Sequence, residues 1–273
     1  MHSLGRRVAQ TLAATYILCI STQHDRRHPM IRLLSWNAHL RRAPLDGLQA
    51  VIEQQQPDVI ALQEVSQSMI VDLEATGRYR THTAKDRRWG DRPAYLVVGA
   101  ESPVTGRCFE VNERGDITRS LAGWACRWAE CIETQHVRID ALDLEIVNLH
   151  LTTGIGPSAR ARELEKLLHR MGPSRRTIVC GDYNCFGYGI GRIVGPLCAF
   201  RMRDYVTDER NLIGTVLRDF GLVPLKLPKP TFPKFGLYLD QVAVTPDLAG
   251  ARADVLDSTF GSDHRPIVVE LVN

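Results

Sequence analysis

The sequence feature that most constrains the fold is a set of short apolar runs, each of which ends in a polar side chain. The clearest example is the run 177–184, Thr-Ile-Val-Cys-Gly-Asp-Tyr-Asn. Its small, mostly β-branched residues suit a strand buried on both faces, and Gly181 permits a sharp turn or the close approach of a ligand. The run ends at Asp182 and Asn184. On its own it fits an ordinary Asx-type turn as well as a functional site, because Gly, Asp and Asn are common turn residues.

The order of the predicted elements indicates an α/β domain. Ile31–Trp36 predicts a strand that ends at Asn37, the apolar spacing from Leu45 predicts a helix that Pro57 stops, and Asp58–Leu62 predicts a second buried strand. Further predicted strands are Tyr79–Thr83, Ala94–Val98, Leu121–Cys131, His136–Asp140, Leu144–Leu149, Leu239–Val244 and Arg265–Leu271. Further predicted helices are Ser66–Leu73, one that Pro157 opens and Gly172 closes, and Asn211–Phe220. We expect Arg160, Arg162 and Arg170 to lie on the solvent face of the Pro157 helix.

Residues 1–30 form a leader, and residues 31–273 are expected to form a single domain, since no repeat or linker divides them. Two arginines precede a fairly apolar segment, Val8–Ile20, that is too short to span a membrane as a helix. Polar residues dilute this segment and no clear cleavage site follows it. A disordered, dispensable leader or a start at Met30 is therefore favoured, with a cytoplasmic location. Secretion or membrane association is the alternative if the leader is a genuine signal.

The formal net charge of +3 resides entirely in residues 1–30, so the remainder of the chain is formally neutral. Bulk charge therefore gives no argument for a polyanionic partner. A local patch does favour such a partner, because residues 78–92 hold six basic and two acidic side chains. Within it, Arg88, Trp89 and Arg92 are candidates to hold a phosphate backbone and to stack on a base. A solvated loop with a half-buried indole is the favoured alternative.

The residue types at the strand ends indicate a particular kind of metal site. The seven cysteines are an odd number without zinc-site spacing, and several lie in apolar runs, as buried thiols in a reducing compartment would. Carboxylates, amides and imidazoles end the strands instead. If these strands share one rim, their polar ends converge, and carboxylates with amides and no thiolates are typical of a Mg²⁺ or Mn²⁺ site. The residues concerned are Asn37, Glu64, His150, Asp182, Asn184, Asp240, Asp263 and His264.

Six motifs resemble, in order and spacing, those of the endonuclease/exonuclease/phosphatase superfamily. They are Ser35–Asn37, Pro57–Glu64, Asn148–Leu151, Gly181–Asn184, Leu239–Asp240 and Gly261–Pro266. The resemblance covers Ile31–Asn273. It implies a four-layer α/β sandwich, with two mixed β-sheets packed face to face and helices on the outside, and metal-dependent cleavage of a phosphoester.

The resemblance also implies roles on the metal side of the site. Glu64 would be the principal Mg²⁺ ligand, Asn37 would support the metal or a phosphate oxygen, and Asp263 would complete this side. Mn²⁺ is the alternative ion.

The resemblance implies further roles for the groups around the attacking water. Asp182 would orient and deprotonate the water, and Asn184 would hold it or a phosphoryl oxygen. His264 would stabilise the pentacovalent phosphorus, with Asp240 fixing its tautomer.

Two histidines discriminate among branches of the superfamily. The Asn-x-His-Leu pattern at His150 resembles the deoxyribonuclease, sphingomyelinase and phosphatase branches, whereas apurinic endonucleases usually lack this histidine. His39 stands where the apurinic branch has an acidic residue, and we expect it to have a structural role. A dedicated abasic-site enzyme is therefore disfavoured.

The expected function is hydrolysis of a phosphodiester, with nucleic acid as the substrate, by in-line attack of an Asp-activated water. The alternative is a phosphatase or phospholipase-type esterase that acts on inositol phosphate or sphingolipid head groups. For this alternative, the apolar glycine loop Phe186–Val194 would contact a membrane. A catalytically silent binding domain is a remote third hypothesis. We expect a monomer without a stable protein partner.

Overall fold

Two mixed β-sheets of six strands each form the centre of the molecule. The computed structural model describes residues 30–39, 45–89, 92–111, 132–187, 193, 195–197 and 200–272. The strands are β1 (Met30–Asn37), β2 (Val59–Val65), β3 (Arg80–Trp89), β4 (Arg92–Ala100), β5 (Thr105–Val111), β6 (Ile132–Ile139), β7 (Leu144–His150), β8 (Thr177–Asp182), β9 (Val223–Pro224), β10 (Asp240–Val244), β11 (Arg252–Val255) and β12 (Ile267–Val272). The α-helices are α1 (Leu45–Gln55), α2 (Gln67–Ala75), α3 (Pro157–Met171) and α4 (Glu209–Asp219).

The first sheet has the order β11-β12-β1-β2-β4-β3, and the second has the order β5-β6-β7-β8-β10-β9. A parallel pair lies inside each sheet: β1 with β2 in the first, and β7 with β8 in the second. The crossover between β1 and β2 includes α1, and the crossover between β7 and β8 includes α3. The carboxyl ends of the two strands in each parallel pair therefore meet at one edge of their sheet.

Three hydrophobic clusters separate the layers. Residues of both sheets, such as Leu33 and Ile178, form the cluster between the sheets. Alternate residues of β1, such as Leu34, face away from it and pack with α1 and α2. On the other side, residues such as Val179 of β8 pack with α3 and α4. The order helix, sheet, sheet, helix confirms the predicted four-layer α/β sandwich.

The β3–β4 hairpin corrects one sequence-based expectation. Residues 85–92 were expected to form a loop, but β3 continues to Trp89 and pairs with β4 up to Arg92. The sequence also gave no indication of β5, β9 or β11. Most side chains of β5 are exposed, and β9 and β11 are short, so these strands lack the apolar pattern of a buried strand.

Arg160 is a second correction, because its side chain is fully buried rather than on a solvent face. It forms an ion pair with Glu209, which is also buried. Arg162 is half-buried, and Arg170 is exposed as expected. The pair joins α3 to the first turn of α4, so the inner face of α3 carries a charge that its apolar periodicity does not reveal.

Several expectations fall on parts of the chain outside the described residues: the leader 1–29, the strand Leu121–Cys131 and most of the glycine loop Phe186–Val194. In the described ranges, every helix is too short or too polar to cross a bilayer. Ile31–Val272 forms one compact unit by its internal contacts.

Candidate active site

The residues predicted to form the site lie along one rim of the two sheets. Asn37, His150 and Asp182 end their strands, Asp240 begins β10, and Asp263 and His264 precede β12. In the second sheet, Asp182 is paired with His150 on one side and with Asp240 on the other. Directly paired residues project from the same face of a sheet. The strand register therefore brings these three side chains together.

Gly181 makes this row possible. Its φ of +134° lies in a region that side-chain-bearing residues rarely adopt, and a Cβ here would lie 2.0 Å from the backbone oxygen of Leu149. Leu149 is the residue paired with Gly181 across β7 and β8. The glycine therefore keeps the two strands in contact immediately before Asp182.

Asp182 is at the centre of the site. Its Oδ2 accepts a hydrogen bond from Asn37 Nδ2 at 3.0 Å. The same oxygen faces His150 Nε2 at 3.6 Å and His264 Nε2 at 3.9 Å. Its Oδ1 accepts a hydrogen bond from the backbone N–H of Asn184 at 2.8 Å. One oxygen of this carboxylate is thus held by the backbone, and the other points toward two imidazoles.

Asn184 has a left-handed backbone with a φ of +50°. Its side-chain Nδ2 donates to the Leu151 carbonyl at 2.8 Å, which ties the segment after β8 to the segment after β7. The asparagine therefore fixes the backbone beside Asp182.

His264 is held by β1 and polarised by Asp240. Trp36 Nε1 donates to the His264 carbonyl at 3.0 Å, and the His264 backbone N–H donates to Ser262 Oγ at 3.1 Å. Nδ1 lies 2.8 Å from Asp240 Oδ2.

Burial disfavours the charged form of His264 and lowers its pKa. The charge and hydrogen bond of Asp240 oppose this effect, and the charges of Asp182 and Asp263 add to them. Together they raise the pKa of His264 from 6.5 to about 10. At neutral pH the metal-free site therefore holds an imidazolium beside Asp182.

Asp86 is a site residue that the sequence pattern did not reveal. Its fully buried carboxylate lies 3.0 Å from His150 Nδ1. The same carboxylate accepts a hydrogen bond from the backbone N–H of Glu64 at 2.9 Å. Asp86 is one acid in a basic stretch of sequence, and only its contacts with Glu64 on β2 and His150 on β7 reveal its role. The site thus contains two histidine–aspartate pairs, one on each side of Asp182.

Backbone irregularities aim Glu64 and Asp86 at the site. The β2–β4 register shifts between Leu62 and Val65, and Glu64 has a φ of +53° there. The β3–β4 register shifts between Lys85 and Arg88, which places Asp86 at the second irregularity. Such shifts redirect side chains that regular alternation would send elsewhere. These shifts explain how β2 and β3, the two strands that flank β4, both contribute a carboxylate to the same rim.

Glu64, Asp263 and His39 lie together at the Glu64 side of the rim, where His39 Nδ1 contacts both carboxylates. The side chains of Glu64 and Asp263 are 5% and 21% exposed. Asp263 Oδ1 is buried without a hydrogen-bond partner among the described residues. Because carboxylate oxygens are preferred ligand atoms of hard cations, the two carboxylates fit Mg²⁺ or Mn²⁺.

Asn37 orients the carboxylates in this arrangement. Its Nδ2 donates to Asp182 and, at 3.4 Å, to Glu64 Oε1, while its Oδ1 accepts the backbone N–H of His39 at 2.9 Å. The amide oxygen is therefore turned away from the two carboxylates and is already hydrogen-bonded.

Asp182, Asp240 and His264 also bring three possible ligand atoms within 4.8 Å of one another. The short contact between His264 Nδ1 and Asp240, and the raised pKa of His264, indicate a hydrogen-bonded pair there. Both this group and the carboxylates of Glu64 and Asp263 could hold a divalent ion.

An aromatic surface adjoins His264. The ring of Phe232 meets the imidazole edge-on at 5.2 Å and stacks on Phe235 at 5.9 Å. Phe235 is 57% exposed, and Lys234 Nζ lies 5.4 Å from its ring centre. Arg88, Trp89 and Arg92 lie at the tip of the β3–β4 hairpin, but their side chains are outside the described part of the chain.

Comparison with known proteins gives a consistent picture. The sequence model of the Endonuclease/Exonuclease/phosphatase family matches residues 34–264. A search of curated protein sequences gives no significant match.

Among solved structures, an endonuclease/exonuclease/phosphatase from Beutenbergia cavernae is similar with a TM-score of 0.65, 18% identity and coverage of 90% of this chain and 72% of that one. The endonuclease domain of TRAS1, a telomere-specific non-LTR retrotransposon, has a TM-score of 0.58, 15% identity and coverage of 89% and 98%. An AP endonuclease from Archaeoglobus fulgidus has a TM-score of 0.58, 14% identity and coverage of 88% and 98%. At these identities the likeness shows a shared fold.

Proposed function

The chain belongs to the endonuclease/exonuclease/phosphatase family, and from this premise we propose that it is a divalent-metal-dependent phosphodiesterase that acts on nucleic acid. The observation that carries the proposal is the position of Asp182 between two imidazoles, each backed by a buried aspartate, next to the Glu64 side of the rim. In this arrangement Asp182 would act as a base, the two imidazoles would donate to an anion, and Glu64 would bind a cation.

The first requirement of the reaction is to offset negative charge. A phosphodiester is anionic and repels nucleophiles, so donors and cations must surround it before water attacks. A divalent ion held by Glu64 and Asp263, with Mg²⁺ as the expected ion, would neutralise charge on a phosphoryl oxygen. The imidazolium of His264 supplies a second positive group at neutral pH.

The second requirement is an oriented nucleophile. Asp182 has one oxygen fixed by the Asn184 backbone, so its other oxygen is held in place to accept a proton from water. The two imidazoles that face this oxygen are aimed by Asp86 and Asp240 through Nδ1, which leaves Nε2 of each directed at the reacting phosphate. Buried aspartates that fix an imidazole in this way are a recurrent means of setting its tautomer.

Nucleic acid is favoured as the substrate by the surfaces around the site. The exposed Phe235 ring, with Lys234 beside it, offers a stacking face and a cation close to His264. On the other side, β3 continues from Asp86 toward the hairpin tip that carries Arg88 and Trp89. Similar folds include a Neisseria 3′ phosphatase bound to a product DNA hairpin and a D. rerio TDP2 complexed with single-strand DNA.

A second candidate is an esterase that acts on a lipid head group or an inositol phosphate. It is favoured by exposed apolar side chains in the segment after Asn184, where Ile193, Leu197, Met202 and Val206 are 77%, 52%, 87% and 69% exposed. Such residues suit contact with an apolar surface.

A substrate panel separates these candidates. The full chain is incubated with plasmid DNA, RNA, sphingomyelin vesicles and inositol polyphosphates, each with Mg²⁺, with Mn²⁺ and with a chelator. We expect cleavage of DNA or RNA that requires the ion and is abolished by Glu64→Ala and by His264→Ala. Cleavage of only the lipid or the inositol phosphate would replace nucleic acid with the second candidate. Turnover that ignores the chelator or both substitutions would contradict the metal mechanism. Absence of turnover on every substrate would favour a binding domain.

A further inference from the structure

His39 lies inside the metal side of the site, although its sequence context predicted a structural role. Its Nδ1 is 3.2 Å from Asp263 Oδ1 and 3.7 Å from Glu64 Oε2. The side chain is 17% exposed. The imidazole therefore presents a ring nitrogen to the two carboxylates that the proposed function assigns to the cation.

The close contact with Asp263 lacks the geometry of a hydrogen bond. Asp263 Oδ1 has no hydrogen-bond partner within the described residues, even though His39 Nδ1 is only 3.2 Å away. A neutral imidazole at this spacing would share a cation with Asp263, whereas a protonated one would form an ion pair with it. In an octahedral site with ligand bonds of about 2.1 Å, adjacent ligand atoms lie about 3 Å apart. The distances from Nδ1 to the two carboxylates are close to this spacing.

The backbone holds the imidazole in this position. His39 has a φ of +46°, an uncommon conformation for a residue with a side chain. Its N–H donates to Asn37 Oδ1 at 2.9 Å, which closes the turn directly after β1. The amide oxygen of Asn37 is thereby engaged, and the ring nitrogen of His39 takes the place beside Glu64 and Asp263.

We propose that His39 is a metal ligand together with Glu64 and Asp263, and that its nitrogen makes the site favour Mn²⁺ over Mg²⁺. Mg²⁺ prefers an all-oxygen shell, whereas transition-metal ions accept imidazole readily. The inference rests on the proposed function only in taking Glu64 and Asp263 as the metal side.

The test measures Mn²⁺ binding itself. Mn²⁺ is titrated into the full metal-free chain, its affinity is measured by calorimetry, and pulsed EPR detects coupling of the bound ion to ligand nitrogen. We expect nitrogen coupling in the wild type and its loss in His39→Gln, with affinity for Mn²⁺ lower by at least about tenfold. His169→Gln, an exposed histidine on α3, is the matched control and should retain both.

A second variant keeps the test informative if His39→Gln is poorly folded. His39→Asp restores an oxygen donor, so it should bind Mn²⁺ without nitrogen coupling and should bind Mg²⁺ more tightly than the wild type does. Persistent nitrogen coupling in both variants would overturn the inference and leave the phosphodiesterase proposal intact. Mn²⁺ binding with the expected nitrogen signal but no hydrolysis of any phosphoester would support the ligand and contradict the function. Absence of saturable Mn²⁺ binding would overturn both.

Discussion

The charge of His264 is set by its neighbours. The residue binds its proton in the folded protein up to a pKa of about 10, against an ordinary value of 6.5. A raised pKa means that the folded state holds the proton over a pH range in which the unfolded chain has released it. The stabilisation from this proton is therefore fully present below pH 6.5 and is lost as the pH rises toward about 10.

The first prediction concerns Asp240, the main source of this shift. Asp240→Asn removes the negative charge but keeps the size of the side chain, so we expect the pKa of His264 to fall well below that in the wild type. Imidazole proton resonances followed by NMR across a pH titration of the metal-free protein measure this directly. The free energy of unfolding should also fall less in the variant than in the wild type as the pH is raised from neutral to alkaline. An unchanged His264 titration would show that Asp240 does not set its charge.

The second prediction concerns Asp86, which holds both His150 and the backbone of Glu64. Both hydrogen bonds are made by Asp86 Oδ2, and His150 Nδ1 also lies 3.0 Å from Oδ1. Asp86→Asn removes the charge and turns one of these oxygens into an NH₂ donor that cannot accept, so His150 or the Glu64 backbone loses support. We expect the cleavage rate to fall between about 10- and 100-fold, as for other partners that orient ligands. The exposed substitution Asp219→Asn is the control. A rate equal to that of the control, in a folded variant, would exclude a positioning role for Asp86.

The candidate site residues that lie in the six sequence motifs could be predicted because each stands at the end or the beginning of an apolar strand. Glu64, Asp182 and Asp240 follow this rule, and the structure places them on one rim. Asp86 and His39 could not be predicted as site residues. Asp86 depends on a register irregularity, and His39 depends on a left-handed turn after β1, and neither has a periodic sequence signal.

At the scale of elements, α3 supports the active-site strands through its buried Arg160. The guanidinium donates to the carbonyls of Thr152, Thr153 and Ile155, which follow β7, and pairs with Glu209 at the start of α4. Glu209 in turn accepts the backbone N–H of Phe186, just after Asn184. One buried ion pair thus fixes the segments that leave both β7 and β8.

The third prediction follows from this arrangement. Arg160→Met leaves the carboxylate of Glu209 buried without its partner, which costs about 3–5 kcal/mol of unfolding free energy in comparable cases. Chemical denaturation should show a loss of this size, and Arg170→Met, at an exposed position of the same helix, should change stability by less than about 0.5 kcal/mol. Equal stability of the two variants would contradict the role assigned to the pair.

The longer buried elements could be predicted from their periodicity, whereas the pairing of Arg160 could not. β1, β2, β7 and β8 have the apolar runs expected of strands buried by neighbours on both faces. An arginine in a helical pattern is normally solvated, and only the position of Glu209 on another helix shows that this one is buried.

At the scale of the whole molecule, the candidate site is formed by residues from both sheets. The first sheet supplies Asn37, Glu64 and Asp86, and the second supplies His150, Asp182 and Asp240. The four-layer arrangement was implied by the ordered motifs of the family, since strand periodicity alone does not decide how sheets stack.

A buried polar link joins the two sheets next to the site. Gln63 Nε2 donates to Asn148 Oδ1 at 2.7 Å, and Asn148 Nδ2 donates to the Leu62 carbonyl at 2.9 Å. Gln63 directly precedes Glu64 in β2, and Asn148 lies two residues before His150 in β7. Buried hydrogen bonds of this kind favour a unique packing, so they help to hold the two halves of the site in register, although Gln63 Oε1 itself has no hydrogen-bond partner among the described residues.

The central claim is that Asp182 activates water for phosphodiester cleavage between these two halves. Single-turnover cleavage of the nucleic acid identified by the panel, at saturating metal, tests it most directly in the wild type, Asp182→Asn and the exposed control Asp254→Asn. The amide retains the shape of the carboxylate but cannot accept the proton, so Asp182→Asn should be slower by about 10²- to 10⁴-fold while the control is unchanged. Wild-type rates in a folded, metal-binding Asp182→Asn variant would contradict the mechanism.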